Sequence, residues 1–230
     1  MKKKYYITTP IYYPSAKPHM GHAYSSISAD FIARYKRLEG YDVMFVTGTD
    51  EHGQKIQKSA DKRKLSPDIF CNEISKVFLD LTKTLNLSNT DFIRTTEIRH
   101  HKTVQKLWNI LEEKKFIYLS KYSGWYSVSD EAFYTESEII EKDNIKLCEA
   151  SGSVVEWVEE ESYFFKLSEF QNLLIKHYED NPEFIQPSSR RNEVMSFVKG
   201  GLNDLSISRN SFKWGIPVPN SKDHIVYVWL

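Results

Sequence analysis

The stretch Tyr5–His22, YYITTPIYYPSAKPHMGH, carries the local signals that decide the predicted fold. It begins with β-branched and aromatic residues, is broken by three prolines, and ends with His19 and His22 on either side of Gly21. This order predicts a strand, a loop and the start of a helix. Because the first turn of a helix presents unpaired N–H groups and the positive end of its dipole, it favours anions, and two imidazoles there can also donate to phosphate oxygens.

The residues after this stretch predict a βαβ unit with parallel strands. The spacing from Ala23 to Leu38 is typical of a helix, and Val43–Val46 is typical of a strand covered on both faces. The expected apolar stripe of the helix consists of Ala23, Ile27, Phe31, Tyr35 and Leu38. Since ligands of parallel sheets bind beyond the carboxyl ends of the strands, the proline-rich loop and Asp50 should lie at such a site.

Beyond this unit, the pattern predicts further α/β elements and then a change of character. A short helix after Gly53, a helix beginning at Ser66-Pro67, a strand at 92–94 and a helix around 104–111 continue the alternation. From Phe116 onward, strand-like pieces are expected at 116–122, 124–127, 154–158 and 163–167, followed by helices around 170–177 and 194–198. The final strand, 224–230, ends without a turn or cap, which indicates a piece of a longer protein.

Composition indicates a globular chain without a global field for nucleic acid. Of 230 residues, 40% are hydrophobic and 27% charged, and 31 basic residues balance 31 acidic ones. Cys71 and Cys148 form no CxxC pair, and the amino terminus is too polar for a signal peptide, so a reduced, cytoplasmic setting is expected. No apolar run is long enough to predict a membrane span.

Three separated motifs carry a family resemblance. His19-Met20-Gly21-His22, VTGTDEHGQKI at 46–56, and the segments DLSISR, WGIPVP and HIVYVWL between 204 and 230 are similar to class I aminoacyl-tRNA synthetases of the methionyl type. The resemblance implies an α/β fold, in which a Rossmann-like parallel sheet is interrupted by a mixed α/β connective-peptide insertion and truncated at the end. The implied boundaries are 1–115 for the first half of the catalytic domain, 116–204 for the insertion and 205–230 for the start of the second half.

The family resemblance implies a reaction and its participants. ATP with Mg²⁺ would activate L-methionine to methionyl-adenylate, and the methionyl group would then pass to tRNA(Met). The mobile Lys-Met-Ser-Lys-Ser loop and the anticodon-binding helices of the family would lie beyond Leu230, so these 230 residues are expected to be inactive or nearly so alone. No membrane partner is expected.

The phosphate site implied by the family consists of His19, Gly21 and His22. Both histidines would hold ATP phosphates and stabilise charge at the α-phosphorus, which makes them the expected catalytic residues. Without the family context, the same pair would read as ordinary loop histidines that satisfy local hydrogen bonds.

The methionine site implied by the family consists of Ile11, Tyr13, Asp50 and Trp229. The Asp50 carboxylate would pair with the α-ammonium group and Arg209 would brace it, whereas the apolar side chains would surround the polarizable thioether. Each position also has an ordinary reading. Asp50 could cap a helix, Arg209 could be an exposed surface residue, and Trp229 could be a core residue.

The insertion departs from the family pattern at its zinc knuckle. Many relatives have Cys-X-X-Cys pairs there, but this chain has Ser127-Val128-Ser129-Asp130, and Cys148 is the only nearby thiol. Since serine is a poor zinc ligand, no structural zinc is expected. Aromatic side chains should hold the insertion instead: Trp125, Tyr126, Phe133, Tyr134 and Trp157.

Several other polar residues have weaker functional interpretations. The lysine-rich run 55–64 could contact tRNA, but a solvated helix face is favoured. His100-His101 should be solvated, and contact of Glu51 or His52 with adenosine is not favoured. Two alternative functions stay open at this stage: a nucleotidylyltransferase, which also uses HxGH, and a non-catalytic tRNA-binding module derived from a synthetase.

Overall fold

The computed structural model describes residues 2–130, 132–142 and 144–227. The first part alternates strands and helices: β1 (Lys4–Thr8), α1 (Met20–Leu38), β2 (Asp42–Thr49), α2 (Gln54–Lys62), α3 (Pro67–Thr84), β3 (Asp91–Arg94) and α4 (Ile98–Glu113). The later part contains β4 (Ile117–Ser127), β5 (Ala132–Tyr134), β6 (Ile139–Lys142), β7 (Ile145–Cys148), β8 (Glu156–Phe165), α5 (Gln171–Asp180), α6 (Ser188–Lys199), β9 (Leu205–Ser206), β10 (Ser208–Arg209) and β11 (Ile225–Val226). Short 3-10 helices lie at Glu136–Glu138 and Leu167–Phe170.

The first three strands form a parallel sheet in the order β1-β2-β3. Lys4 pairs with Asp42 and Thr8 with Val46, so the predicted βαβ unit with parallel strands is confirmed. β3 pairs with the second half of β2, which places the carboxyl ends of these two strands together.

Gly48 makes the close pairing of β2 with β3 possible. A Cβ atom added to Gly48 would lie 1.9 Å from the carbonyl oxygen of Ile93 in β3. No side chain fits that distance, so the end of β2 needs glycine at this position.

The predicted buried face of α1 is wrong. Ser26, Ala29, Asp30 and Ala33 are buried, whereas the predicted stripe faces outward, with Phe31 71% and Leu38 86% exposed. The small side chains allow α1 to approach the sheet closely, and the two alanines share a core cluster with Val43 and Phe45 of β2. Apolar periodicity alone therefore identified the helix but not the face of the helix that packs against the sheet.

A second core cluster joins the loop after β1 to α2 and α3. Its buried members are Tyr12, Ile56, Ala60, Phe70, Cys71, Ile74 and Phe78, and Tyr13, Leu65, Phe92 and Trp214 pack against them. The helix predicted to begin at Ser66-Pro67 is thus confirmed as α3, and its Phe70, Ile74 and Phe78 all lie in this core.

The strands of the later part are longer than predicted. Pieces expected at 116–122 and 124–127 form the single strand β4, and those at 154–158 and 163–167 lie mostly in β8. These strands belong to a sheet of order β5-β4-β8-β9, while β6 and β7 pair with each other. The helices predicted around 170–177 and 194–198 are confirmed as α5 and α6.

The chain divides into two compact units. The first consists of Met1–Gln105, Trp125–Glu156 and Trp214–Ile216, and the second of Lys106–Gly124, Trp157–Lys213 and Pro217–Leu230. The first unit holds the parallel sheet and the segment Trp125–Glu156, which contains β5, β6 and β7 and is called the arm. The predicted boundaries at 115/116 and 204/205 follow the family organisation and stay a prediction.

Within the described residues, no helix is long and apolar enough to cross a bilayer.

Candidate functional site

The loop after β1 stays attached to the end of β2. Tyr12 N–H donates to the Gly48 carbonyl oxygen at 2.9 Å, and Asp50 N–H donates to the Tyr12 carbonyl oxygen at 2.9 Å. Tyr12 also forms a parallel bridge with Thr49. The prediction that this loop and Asp50 share one edge of the sheet is therefore confirmed at the level of the backbone, and it sets Ile11 and Tyr13 beside Asp50.

Two histidines cap the amino end of α1. His19 is the N-cap, and its Nδ1 accepts from Gly21 N–H at 3.1 Å. His22 reaches back, so that its Nδ1 accepts from His19 N–H at 3.0 Å. The ring centroids are 3.9 Å apart, and the His22 ring also packs against Tyr12 and Phe78. This is a capping box in which imidazoles take the places usually held by hydroxyl and carboxylate groups.

The cap determines which nitrogen of each ring carries the hydrogen. Since each Nδ1 accepts from a backbone N–H, each neutral imidazole holds its hydrogen on Nε2, where it can donate. Burial, with a smaller contribution from His19, lowers the pKa of His22 and favours the neutral ring. The amino end of α1 thus offers two Nε2–H donors at the positive end of the helix dipole.

Gly21 is required by the His19 ring. A Cβ atom on Gly21 would lie 2.9 Å from Cε1 and 3.1 Å from Nδ1 of His19. The family resemblance implies that Gly21 belongs to the phosphate site, and the nearest obstacle to a side chain at this position is the imidazole itself. The glycine therefore leaves room for the His19 ring in the cap.

Asp50 and Glu51 follow β2 directly but have different surroundings. Asp50 is 6% exposed at the end of the strand. The fully buried Glu51 carboxylate accepts from Thr49 Oγ1 at 2.7 Å, from Ser75 Oγ and from Thr96 Oγ1 at 2.5 Å, and it forms a two-point ion pair with Arg94 at 2.7 and 2.9 Å.

The contacts of Glu51 mark it as a structural residue. Burial by itself raises the pKa of this carboxyl, but the hydrogen bonds from Arg94 and the hydroxyl groups outweigh it, so the pKa lies below its usual range. Sequence analysis missed Arg94, because the pair joins residues that only the parallel sheet brings together.

His52 lies in a pocket on the β3 side of the strand ends. It is 6% exposed, and its ring centroid lies 5.4 Å from that of His101 and 5.6 Å from that of Trp214. The Trp214 indole N–H donates to the Glu51 carbonyl oxygen at 2.6 Å. His101 Nε2 and His100 Nδ1 are buried, so the expectation that both histidines are solvated is wrong.

Arg209 belongs to the second unit and is buried rather than an exposed surface residue. It is 3% exposed, its Nη1 donates to Ser206 Oγ at 2.8 Å, and its guanidinium lies 4.0 Å from the Tyr227 ring centroid. Its predicted support of Asp50 stays a prediction. Trp229 lies outside the described residues, and its predicted contact with methionine is likewise untested.

Asp130, at the position of the family's zinc knuckle, connects separate parts of the arm by hydrogen bonds. Asp130 accepts from Tyr134 OH at 2.9 Å, from Ser151 Oγ at 2.7 Å and from Ser153 Oγ at 2.8 Å, which connects two turns. Tyr126 packs on Phe133 at 4.7 Å. Residues 2–130, 132–142 and 144–227 contain no group of three His, Cys, Asp or Glu side chains placed to hold a metal ion, so this donor set does not fit zinc.

The lysine-rich run borders a second pocket in the first unit. Lys55, Lys58 and Lys62 of α2 line it opposite Tyr126 and Glu156, and its volume is about 520 Å³. Lys58 and Lys62 are exposed, as the predicted solvated helix face requires.

Comparison with known proteins gives one consistent result. A family model described as "tRNA synthetases class I (M)" matches residues 5–230. The methionine–tRNA ligase of Rickettsia typhi is 56% identical over the whole chain, which covers 45% of that protein. The enzyme of Listeria monocytogenes is 52% identical, and the chain covers 36% of it.

Solved structures agree. Methionyl-tRNA synthetase of Mycobacterium tuberculosis bound by methionyl-adenylate has a TM-score of 0.96 and 51% identity, with 99% of this chain and 45% of that chain covered. Its free state has a TM-score of 0.82. The chain thus spans less than half the length of these relatives. From its match over residues 5–230 and the histidine pair at the start of α1, the chain belongs to the class I tRNA synthetases of the M, or methionyl, family.

Proposed function

We propose that these residues are the amino-terminal part of an enzyme that activates L-methionine with ATP and transfers it to tRNA(Met). The observation that carries the proposal is the double-histidine cap of α1, which uses Nδ1 of each ring and leaves both Nε2–H groups as donors, and which follows the loop bonded to Asp50. The cytoplasmic location predicted from the sequence belongs to the same proposal.

In the proposed mechanism, His19 and His22 bind phosphate oxygens of ATP. Their Nε2–H groups and the positive end of the α1 dipole would stabilise the charge that develops when the methionine carboxylate attacks the α-phosphorus. Because Nδ1 of each ring is held by a backbone N–H, the donors are oriented before the nucleotide binds, and no reorganisation is needed in the transition state. Mg²⁺ would accompany the nucleotide. Among the described residues, no group of three His, Cys, Asp or Glu side chains is placed to hold a metal ion.

Methionine would bind at the other side of the same strand end. The Asp50 carboxylate would pair with the α-ammonium group, with Arg209 as its support, and Ile11, Tyr13 and Trp229 would surround the thioether. Ile11 is 40% exposed and Tyr13 is half-buried, so both have surface left to offer a ligand. Asp50 is almost fully buried, which strengthens its attraction for an ammonium group that enters the site.

Two substitutions of His22 test the phosphate role in the full-length protein. In His22→Asn the side-chain oxygen takes the place of Nδ1 and keeps the cap, but the Nε2–H donor is lost. We expect methionine-dependent exchange between ATP and pyrophosphate to fall by roughly 10²–10³-fold, the effect of removing one preorganised donor. His22→Gln keeps an N–H near the position of Nε2 and should retain more activity than His22→Asn.

The outcome that contradicts this role is an unchanged exchange rate in His22→Asn. The control is the amino acid: leucine should not support exchange, and equal rates with leucine and methionine would overturn the proposed substrate. The proposal also expects the 230 residues alone to show no exchange, because the triphosphate-gripping loop that the family resemblance implies is not among them.

Substitution of Asp50 separates binding from chemistry. Asp50→Asn removes the charge that pairs with the ammonium group while keeping size and shape. We expect the methionine concentration for half-maximal exchange to rise at least tenfold, with a smaller change in the maximal rate. A fall in maximal rate with unchanged methionine dependence would place Asp50 in the chemical step instead.

A further inference from the structure

The pocket around His52 is separate from the residues proposed for ATP phosphates and methionine. It has a volume of about 410 Å³, which is in the range of small-molecule sites, and it lies entirely within the first unit. His52, His101 and Trp214 contribute rings to its wall, and Asp68, Asn72 and Glu97 contribute polar groups. None of His19, Gly21, His22 or Asp50 lines it.

Two histidines line this pocket. His52 is 6% exposed, and beside it His101 Nε2 is buried with no hydrogen-bond partner among the residues that the structure describes. A buried polar group normally has such a partner, since an unmade hydrogen bond costs about 1–3 kcal/mol. An imidazole that lines a cavity in this state is therefore available to a ligand.

The other polar groups define the charge of that ligand. Arg94 is committed to Glu51 and to Asn72 Oδ1, and Thr96 and Cys71 also donate to Glu51. The carboxylates of Asp68 and Glu97 also line the wall, and Glu97 is paired with Arg99 as well. Burial lowers the pKa of His52 to about 4, so its imidazole is neutral near pH 7. A pocket with two carboxylates and neutral imidazoles disfavours a phosphate and favours a neutral ligand with an amino group.

The rings define the shape of the ligand. Trp214 uses its indole N–H on the Glu51 carbonyl oxygen, so its face rather than its polar edge is left for a ligand. Its centroid lies 5.6 Å from that of His52. Planar heterocycles stack on such faces, and stacking of a base on an aromatic side chain contributes about 1–3 kcal/mol.

We propose that the His52 pocket binds an adenine base. Adenine presents a ring-nitrogen acceptor beside an exocyclic amino group, which matches an imidazole N–H donor beside a carboxylate. Hypoxanthine presents an N–H donor beside a carbonyl oxygen and reverses this pattern. The base can belong to a free nucleoside or to an unpaired RNA 3′ end. The second source rests on the proposed function.

Tryptophan fluorescence of the 230-residue chain tests the pocket directly. Adenosine should quench it saturably, and inosine should bind at least tenfold more weakly, because its carbonyl oxygen would face the carboxylates. Trp214→Phe should abolish the adenosine-dependent quenching. Trp157→Phe, a change of a half-exposed tryptophan outside the first unit, should leave it intact.

Two further variants keep the test valid if Trp214→Phe does not fold. Asp68→Asn and Glu97→Gln replace carboxylates that are exposed and half-buried, respectively, and together they should reduce the preference for adenosine over inosine severalfold. Equal affinity for the two nucleosides, quenching that survives Trp214→Phe, or no quenching by adenosine would each overturn the proposal.

Two further experiments test where the base comes from and whether the pocket is independent of the proposed ATP site. A single-stranded tetranucleotide ending in adenosine that binds at least tenfold more tightly than adenosine, with the same response to Trp214→Phe, would assign the pocket to an RNA end. Equal affinity would assign it to a nucleoside. His22→Asn should leave adenosine quenching unchanged, so failure of the phosphate role and failure of this pocket give different results.

Discussion

At the amino end of α1, Nδ1 of His19 and of His22 each accept from a main-chain N–H and thereby orient Nε2–H outward. The same contacts explain the glycine between them, because the His19 ring occupies the space that a side chain at position 21 would need. The cap geometry and the proposed phosphate contacts thus depend on one hydrogen-bonding pattern. Protonation of either ring at Nδ1 would break that pattern.

Gly21→Ala should damage the site without damaging the helix. Alanine is a better helix former than glycine by about 1 kcal/mol, but its Cβ displaces the His19 ring. We expect methionine-dependent ATP–pyrophosphate exchange to fall by at least tenfold while the melting temperature stays within a few degrees. Ser28→Ala, an exposed position in α1, serves as the matched control and should change neither quantity. Normal exchange in Gly21→Ala would show that the His19 position is not critical.

At the scale of elements, hydrogen bonds and aromatic packing hold the arm of residues 125–156. Asp130 connects its own turn with Ser151 and Ser153, and Lys146 lies 4.1 Å from the Trp125 ring centroid. The prediction that aromatic residues hold the insertion accounts for part of this arrangement. The aspartate was named at this position only as a departure from the zinc pattern.

Asp130→Asn should loosen the arm. The substitution turns one of the two accepting oxygens into a donor, which leaves at least one hydroxyl without its partner and costs about 1–3 kcal/mol. Amide hydrogen exchange within 125–156 should accelerate, while exchange within the parallel sheet stays unchanged. Glu141→Gln, an exposed carboxylate of β6, provides the control. Equal protection in Asp130→Asn and the parent chain would mean that the aromatic contacts suffice.

On the scale of the whole molecule, several histidines are held neutral by burial. Burial is the largest cause that lowers the pKa values of His22, His52, His100 and His101. Each of these groups therefore binds a proton more readily in the unfolded chain, and the folded state loses stability as the pH falls below the ordinary histidine value of about 6.5.

The free energy of unfolding should decrease from pH 7.5 to pH 5. The pKa of His52 is about 6.5 in the unfolded chain and about 4 in the folded one, and stability is lost as the pH falls through this range. At pH 5 the expected loss of unfolding free energy from this group is about 2 kcal/mol. Urea denaturation at the two pH values measures the loss. His52→Asn should show a smaller pH dependence, whereas His177→Asn, a change of an exposed histidine, should behave like the parent chain. An unchanged midpoint in the parent chain would contradict neutral burial of these rings.

Sequence alone determined the βαβ unit, the helix start at His19 and the family, because prolines, helical spacing and short motifs act between near neighbours in the chain. Tertiary structure decided which face of α1 is buried, since small side chains there approach the sheet while the larger apolar ones do not. It also decided that Glu51 is structural, through Arg94, which lies 43 positions away, and that Trp214 stands beside His52, through a hydrogen bond that spans 163 positions. Contacts of such separation leave no periodic signal in the sequence, because they form only when distant segments pack.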